Sequence, residues 1–192
     1  RSGLGGAIGD IGTHAFNLAE YVTGLQVSRI CGSVNTVVTG RKLDDDGAAL
    51  LLFNNGASGV LMATQIAAGA ENNISIRVYG EKGGLSWKQK DNNSLILEWP
   101  DRPAECWRAG ASYLSPHATH NTRTPAGHPE GYLEAFANLY RNFALTIVAK
   151  ENGVAPAPAW IDFPGTVEGL RGMAFVETMI RSNKTQGWID FI

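Results

Sequence analysis

The residues best suited to chemistry are Asp10 and His14, which stand four positions apart at the start of a predicted helix. Side chains at this spacing project from the same helical face, which here also carries Asn17 and Tyr21. A carboxylate beside an imidazole can fix the histidine tautomer, and the imidazole can exchange a proton near neutral pH. The pair is therefore a candidate acid/base centre. A structural alternative remains, in which Asp10 only caps the helix and His14 is a partly buried polar residue.

Three further histidines, His117, His120 and His128, lie in or at the end of a long irregular segment. No cysteine or carboxylate accompanies them at zinc-ligand spacing, so we predict no metal site. For His117 and His120 a solvent-exposed loop is the favoured interpretation. His128 precedes Pro129 at the start of a predicted helix, where polar groups readily meet anionic or hydroxylated ligands. Ligand binding and simple capping of that helix both remain open for His128.

The candidate residues must be positioned by an amino-terminal helix, a β-rich centre and two closing helices. The first helix is predicted from the helical spacing of Ile11, Ala15, Leu18 and Val22, and it ends at Gly24. Before it, the glycine-rich string 3–9 lacks the G-x-G-x-x-G order and follows no strand, so we reject a phosphate-binding loop.

The centre of the chain predicts strands joined by tight turns. The predicted strands cover residues 27–38, 48–53, 57–66, 73–79, 85–88 and 95–99. The connections at 54–56 and 81–84 are too short for parallel crossovers, so the neighbouring strands must be antiparallel. The strand at 50–53 is apolar throughout, and we expect both of its faces to be covered, by helices or by another subunit.

The remaining segments complete an α+β prediction. Residues 100–129 form an irregular stretch, which is often functional when it is this long. Two helices follow, with apolar residues at helical spacing over 133–147 and 170–180. We therefore predict a largely antiparallel open β-sheet with helices packed on one face and no Rossmann βαβ unit.

Composition excludes several classes of function. The 192 residues carry a formal net charge of −2 and no basic stripe for nucleic acid. No apolar run is long enough to span a membrane, and the first residues lack the apolar core of a signal peptide. Cys31 and Cys106 are far apart and are most simply free thiols in a reducing compartment. We expect a cytoplasmic protein and, because the chain lacks an initiator methionine, a piece cut from a longer one.

Four segments resemble one known family. Residues 5–20 contain a distinctive G-D-x-G-x-H core, and three later stretches at 76–87, 127–132 and 162–171 follow in the same order and spacing. Together they resemble the C-terminal domain of the glucose-fructose oxidoreductase and inositol dehydrogenase (Gfo/Idh/MocA) family. The resemblance covers nearly the whole chain, and it makes residues 1–192 a substrate-binding and oligomerisation domain.

The resemblance implies a two-domain NAD- or NADP-dependent oxidoreductase acting on one hydroxyl or ketone of a sugar, inositol or related polyol. In this family the position of Asp10 contacts substrate, and that of His14 is the usual acid/base. Thr13 matches a position that often faces the pocket, and His128 one near the substrate. The resemblance also implies a homo-oligomer through the open sheet face.

One departure from the family pattern is the absence of its nucleotide-binding half. The family's catalytic lysine and glycine-rich loop lie in a Rossmann domain that this chain lacks, while Lys82 and Lys150 occur in other contexts. The fragment alone is therefore expected to bind cofactor weakly and to be inactive. Two alternatives remain: a non-catalytic sugar-binding or assembly module, and NAD-dependent glycoside hydrolysis.

Overall fold

The computed structural model describes residues 5–191, which group into two compact units. The first unit comprises residues 1–76 and 165–192, and the second comprises residues 77–164. Residues 3 and 4 of the glycine-rich string lie outside the described residues.

The first unit is a four-stranded sheet covered on one face by two helices. Its helices are α1 (Thr13–Thr23), preceded by the π-helical turn Ile8–Gly12, and α4 (Thr166–Thr185). Its strands are β1 (Val27–Asn35), β2 (Asp46–Phe53), β3 (Ser58–Thr64) and β8 (Ile189–Asp190), in the order β3-β2-β1-β8. All three strand pairs are antiparallel.

Aromatic contacts between sequence-distant elements form the core of this unit. Phe16 of α1 stacks on Phe175 of α4 with ring centroids 4.7 Å apart, and Phe191 meets Phe16 edge-on at 5.5 Å. Arg171 then ties the two helices through a bidentate pair with Glu20, at 2.8 and 2.6 Å. The hydrogen bond that Arg171 donates to Glu20 raises the pKa of Arg171 above its usual value, and the charge of Glu20 adds to this rise, although partial burial opposes it.

The second unit contains the other sheet and two helices. Strands β4 (Ser75–Gly80), β5 (Gly83–Lys88), β6 (Ser94–Glu98) and β7 (Glu105–Arg108) follow one another in the order β4-β5-β6-β7. The helices are α2 (Pro116–His120) and α3 (Tyr132–Glu151), with short 3₁₀ turns at Gln89–Asp91 and Pro158–Ile161. The β5–β6 and β6–β7 pairs are antiparallel, and the two-residue turn between β4 and β5 requires the same of that pair.

The α+β class and the antiparallel pairing are confirmed, with the strands divided between two sheets. Three local expectations were wrong. The buried residue of α1 is Phe16, whereas Val22 is 38% exposed. Residues 100–129 contain β7 and α2, and Pro129 precedes α3 instead of opening it. Within this chain Leu51 is buried and Leu50 is 50% exposed, so one face of β2 is covered here, and cover of the other face by another subunit stays a prediction.

Candidate functional site

Asp10, Thr13 and His14 lie where a π-helical turn runs directly into α1. Asp10 belongs to the turn Ile8–Gly12, and Thr13 and His14 open α1. Single π turns inside helices are rare and frequently mark functional sites. The Thr13 hydroxyl donates back to the carbonyl of Gly9 at 3.1 Å, so its proton is used while its lone pairs stay available to accept. The side chains of Asp10 and His14 are both exposed.

The turn is held in place by Asp44 from the loop between β1 and β2. The two carboxylate oxygens of Asp44 accept the N–H groups of Gly6, at 2.5 Å, and Ile8, at 2.8 Å. Its backbone carbonyl accepts the N–H of Ala7 at 2.9 Å. Asp44 therefore satisfies the free donors at the start of the turn, and the interpretation of Asp10 as a helix cap is wrong because its side chain makes no capping bond.

Asp10 is oriented by Gln65, a residue that the sequence analysis missed. The Gln65 Nε2 donates to Asp10 Oδ2 at 3.1 Å, across 55 positions of sequence. Gln65 follows the end of β3, and its own backbone N–H donates to the carbonyl of Asp45 at 2.8 Å. Asp10 thus pairs with an amide donor, and among the described residues no hydrogen bond joins it to His14. The only available sequence signal for Gln65 was a polar side chain directly after an apolar strand.

Asp10 and Gln65 line an open groove of about 510 Å³ on the first unit. This volume falls in the range of small-molecule sites. The groove is lined by Gly5, Gly6, Asp10, Arg41, Lys42, Leu43, Asp44 and Gln65. His14 is outside that lining, one helical turn beyond Asp10 along the chain. The alternative of His14 as a partly buried residue is wrong, because its side chain is exposed.

The wall of the groove formed by residues 41–44 is anchored by the buried Asp45. Its carboxylate accepts the N–H groups of Val37 at 2.7 Å and Val38 at 3.0 Å, and Arg41 Nη1 lies 3.3 Å away. The Val37 hydrogen bond lowers the pKa of Asp45 below its usual value; burial opposes this effect, and Val38 and Arg41 add to it. A buried carboxylate with these partners keeps the loop, and hence Asp44, in a fixed position.

His128 is exposed in the second unit, before α3. Its Nδ1 lies 3.2 Å from the carbonyl oxygen of Pro125, and because a carbonyl only accepts, Nδ1 carries the proton and Nε2 can accept. The start of α3 is capped by Glu134, whose Oε2 accepts the Gly131 N–H at 2.9 Å. The capping interpretation of His128 is therefore wrong, and its place near the substrate stays a prediction.

The interpretation of the other two histidines as loop residues also changes. His117 and His120 belong to α2, and the half-buried His120 places Nε2 2.8 Å from Asn142 Oδ1. His117 Nε2 lies 3.0 Å from Asp162 Oδ2. Over residues 5–191, no three potential ligand side chains are grouped to hold a metal ion, and no helix is long and apolar enough to cross a membrane.

The chain is similar to a family of domains and to several solved oxidoreductases. Residues 1–86 match the family described as the GFO/IDH/MocA C-terminal domain. An oxidoreductase from Sinorhizobium meliloti superposes with a TM-score of 0.90 and 41% identity, over 98% of this chain and 52% of that chain. An inositol dehydrogenase homologue from Azotobacter vinelandii, complexed with NADH and myo-inositol, gives a TM-score of 0.87 and 31% identity, over 96% and 50%.

A curated relative of this chain is the uncharacterized oxidoreductase YfiI of Bacillus subtilis strain 168. It is 28% identical over 187 residues, which cover 96% of this chain and 48% of that protein. The chain thus spans about half the length of the curated relatives it matches.

Proposed function

Since this chain belongs to the GFO/IDH/MocA family through that family's C-terminal domain, we propose that it is the substrate-binding domain of an NAD- or NADP-dependent oxidoreductase. The substrate would be a sugar, inositol or related polyol, with one hydroxyl oxidised or the matching ketone reduced. The observation that carries the proposal is Asp10, an exposed carboxylate oriented by Gln65 at a groove, with His14 one turn away on the same helical segment.

The roles of the residues follow from their donor and acceptor capacity. Asp10 accepts a hydrogen bond from a substrate hydroxyl, and the Gln65 amide leaves one carboxylate oxygen free for that contact. His14 takes the proton of the reacting hydroxyl during oxidation and returns it during reduction. Thr13 would accept a further substrate hydroxyl through a lone pair.

The described residues do not themselves fit a dinucleotide. A nucleotide site of this class needs a strand, a glycine-rich turn and a helix in a parallel βαβ unit, whereas both sheets over residues 5–191 are built from antiparallel neighbours. The proposal therefore assigns the cofactor to a domain that this chain does not contain. It follows that the chain alone should bind NAD or NADP weakly and show no turnover.

We further propose that the outer face of the first sheet joins two copies of the protein. Leu50 and Val60 are directly paired across β2 and β3, as are Ala48 and Met62. Leu50, Val60 and Met62 are 50, 77 and 66% exposed, and large contiguous apolar patches on soluble proteins mark interaction surfaces.

The test is a comparison of His14→Ala with a matched control in the full-length protein. Reduction of NAD and NADP is followed with inositols and monosaccharides as substrates. Loss of an acid/base residue costs about 100- to 10,000-fold in kcat, and cofactor affinity should be unchanged. The exposed Gln26, just beyond α1, supplies the control Gln26→Ala, which should keep full activity.

Two outcomes would redirect the proposal. Substantial turnover by His14→Ala would remove the acid/base role of His14. Polyol binding without any nicotinamide reduction would make the protein a sugar-binding module, and release of a free sugar from a glycoside in the presence of NAD would indicate hydrolysis.

A further inference from the structure

A network of side-chain hydrogen bonds in the second unit connects the carboxylate of Asp162 to the imidazole of His120. Asn121 Nδ2 lies 3.0 Å from Asp162 Oδ2, and Asn142 Nδ2 lies 3.2 Å from Asn121 Oδ1. Asn142 Oδ1 is in turn 2.8 Å from His120 Nε2. Asn142 is 1% exposed, so the middle of this hydrogen-bond network is shielded from water. Buried polar side chains in such a network are held in one orientation.

The carboxylate of Asp162 determines which group donates and which accepts in each hydrogen bond of this network. An ionised carboxylate only accepts, so Asn121 must turn its amide nitrogen toward Asp162 and its oxygen toward Asn142. Asn142 must then present its nitrogen to Asn121 and its oxygen to His120. Because an amide oxygen only accepts, His120 must carry a proton on Nε2. The tautomer of His120 is therefore set by Asp162, through two asparagines.

This assignment leaves Arg141 without an acceptor. Its Nη1 lies 3.0 Å from the same His120 Nε2, and a guanidinium can only donate. Two donors thus face each other at hydrogen-bonding distance, which is unfavourable. Arg141 is exposed on α3, and among the side-chain hydrogen bonds and ion pairs found over residues 5–191 its one partner is His120.

A second guanidinium lies close to Arg141. Arg123 donates through Nε to Asn138 Oδ1 at 2.6 Å and through Nη2 to the carbonyl of His120. Desolvation lowers the pKa of Arg123 from its usual value and the charge of Arg141 lowers it further, whereas Glu130 raises it. Glu130 Oε1 also accepts the backbone N–H of Arg123 at 2.5 Å. With Glu130 counted, the cluster keeps a net positive charge.

We propose that Arg141, with Arg123 and His120 beside it, binds an anionic group, a phosphate or a carboxylate. An oxygen of such a group supplies the acceptor that Arg141 lacks and offsets the repulsion between the two guanidinium groups. A guanidinium fork matches both groups through two parallel N–H···O bonds. A metal cation is disfavoured by the two arginines, and a neutral hydroxyl leaves their repulsion in place. The proposal does not rest on the proposed oxidoreductase function.

The experiment measures anion binding and the His120 tautomer together. Full-length protein labelled with ¹⁵N is titrated with inorganic phosphate or with acetate at constant ionic strength, and long-range imidazole ¹H–¹⁵N spectra are recorded. His120 should begin as the Nε2–H tautomer, and its signals should shift to saturation with one of the two probes. The probe that binds more tightly identifies the anionic group.

Arg141→Gln should weaken that binding about tenfold or more, because it removes a charge-assisted, bidentate partner. Arg141→Lys, which keeps the charge but loses the fork, should fall between. Lys150→Gln, an exposed cation on the same helix, is the matched control and should bind like wild type. The proposal is overturned if His120 is the Nδ1–H tautomer, if neither probe binds, or if Arg141→Gln binds as wild type does.

Discussion

Substitution of Gly6 by alanine tests how the candidate catalytic segment is held. A Cβ atom added at Gly6 would lie 1.9 Å from the backbone carbonyl oxygen of Asp44. Real Cβ atoms essentially never approach another atom closer than 3.0 Å. The backbone segments around Gly6 and Asp44 must therefore separate by about 1.1 Å, the difference between these two distances. Backbone cannot rotate out of the way as a side chain can, and the cost therefore falls on the contacts between Asp44 and the π-helical turn.

The magnitude follows from the hydrogen bonds that such a shift breaks. Ala7 donates to the Asp44 carbonyl, and Gly6 and Ile8 donate to its carboxylate. A neutral hydrogen bond contributes about 1 kcal/mol, and one to a charged group about 1.5–3 kcal/mol. Partial relaxation would spare some of these bonds, so we expect Gly6→Ala to destabilise the protein by about 3 kcal/mol. For a domain of this size that corresponds to a fall in Tm of about 6–12 °C.

The assay is urea denaturation followed by far-UV circular dichroism, with Gly169→Ala as the control. Gly169 lies in α4, and a Cβ there meets no atom within 4 Å. Alanine in an open helical position is favoured over glycine by about 0.5–1 kcal/mol, so this variant should be slightly more stable than wild type. If Gly6→Ala unfolds at the wild-type urea concentration, Asp44 does not anchor the turn and the positioning of Asp10 described above is incorrect.

Three further perturbations test other parts of the first unit. Arg171→Gln leaves the Glu20 carboxylate, 14% exposed, without its charged partner and should cost about 3 kcal/mol in urea denaturation; unchanged stability would refute that pairing. Asp45 has a lowered pKa, so its carboxylate stabilises the fold above the ordinary value of 3.8, and this contribution is lost as pH falls through the lower folded value. The Tm advantage of wild type over Asp45→Asn should therefore be constant near neutral pH and disappear in acid, and an advantage that persists in acid would contradict the pKa argument. If the proposed contact through the sheet face is correct, full-length wild type is an oligomer in light scattering and Val60→Asp is a monomer with unchanged circular dichroism, whereas a Val60→Asp variant that stays oligomeric would exclude the sheet face.

Local signals in the sequence predicted strands β1 to β6 and antiparallel neighbours, but they missed the short strands β7 and β8. The turn at 54–56 and the αL residue Gly24, with φ of 67°, depend only on neighbouring residues. The buried face of α1 was not predictable in the same way. Periodicity pointed to Val22, but the core instead takes Phe16 because it stacks on Phe175, from a helix at the other end of the chain.

Helix α2, in contrast, has a local start signal in its sequence, although the helix was not predicted. Ser115 accepts the Ala118 N–H through its side chain at 3.2 Å, and Pro116 follows at the first helical position. Serine before proline is a recognised start signal, yet the helix has only five residues and no apolar periodicity to reveal it.

The candidate site likewise contains residues that local sequence patterns predict and residues that come from distant parts of the sequence. The spacing of Asp10 and His14 was visible because helical geometry is local, whereas Asp44 and Gln65 act across 38 and 55 positions. Asp44 lies in the loop just before β2 and Gln65 directly follows β3, so these two residues hold the candidate catalytic segment from outside its own helix. It follows that substitutions in the loop 36–45 should change substrate affinity together with stability, even where they touch neither Asp10 nor His14.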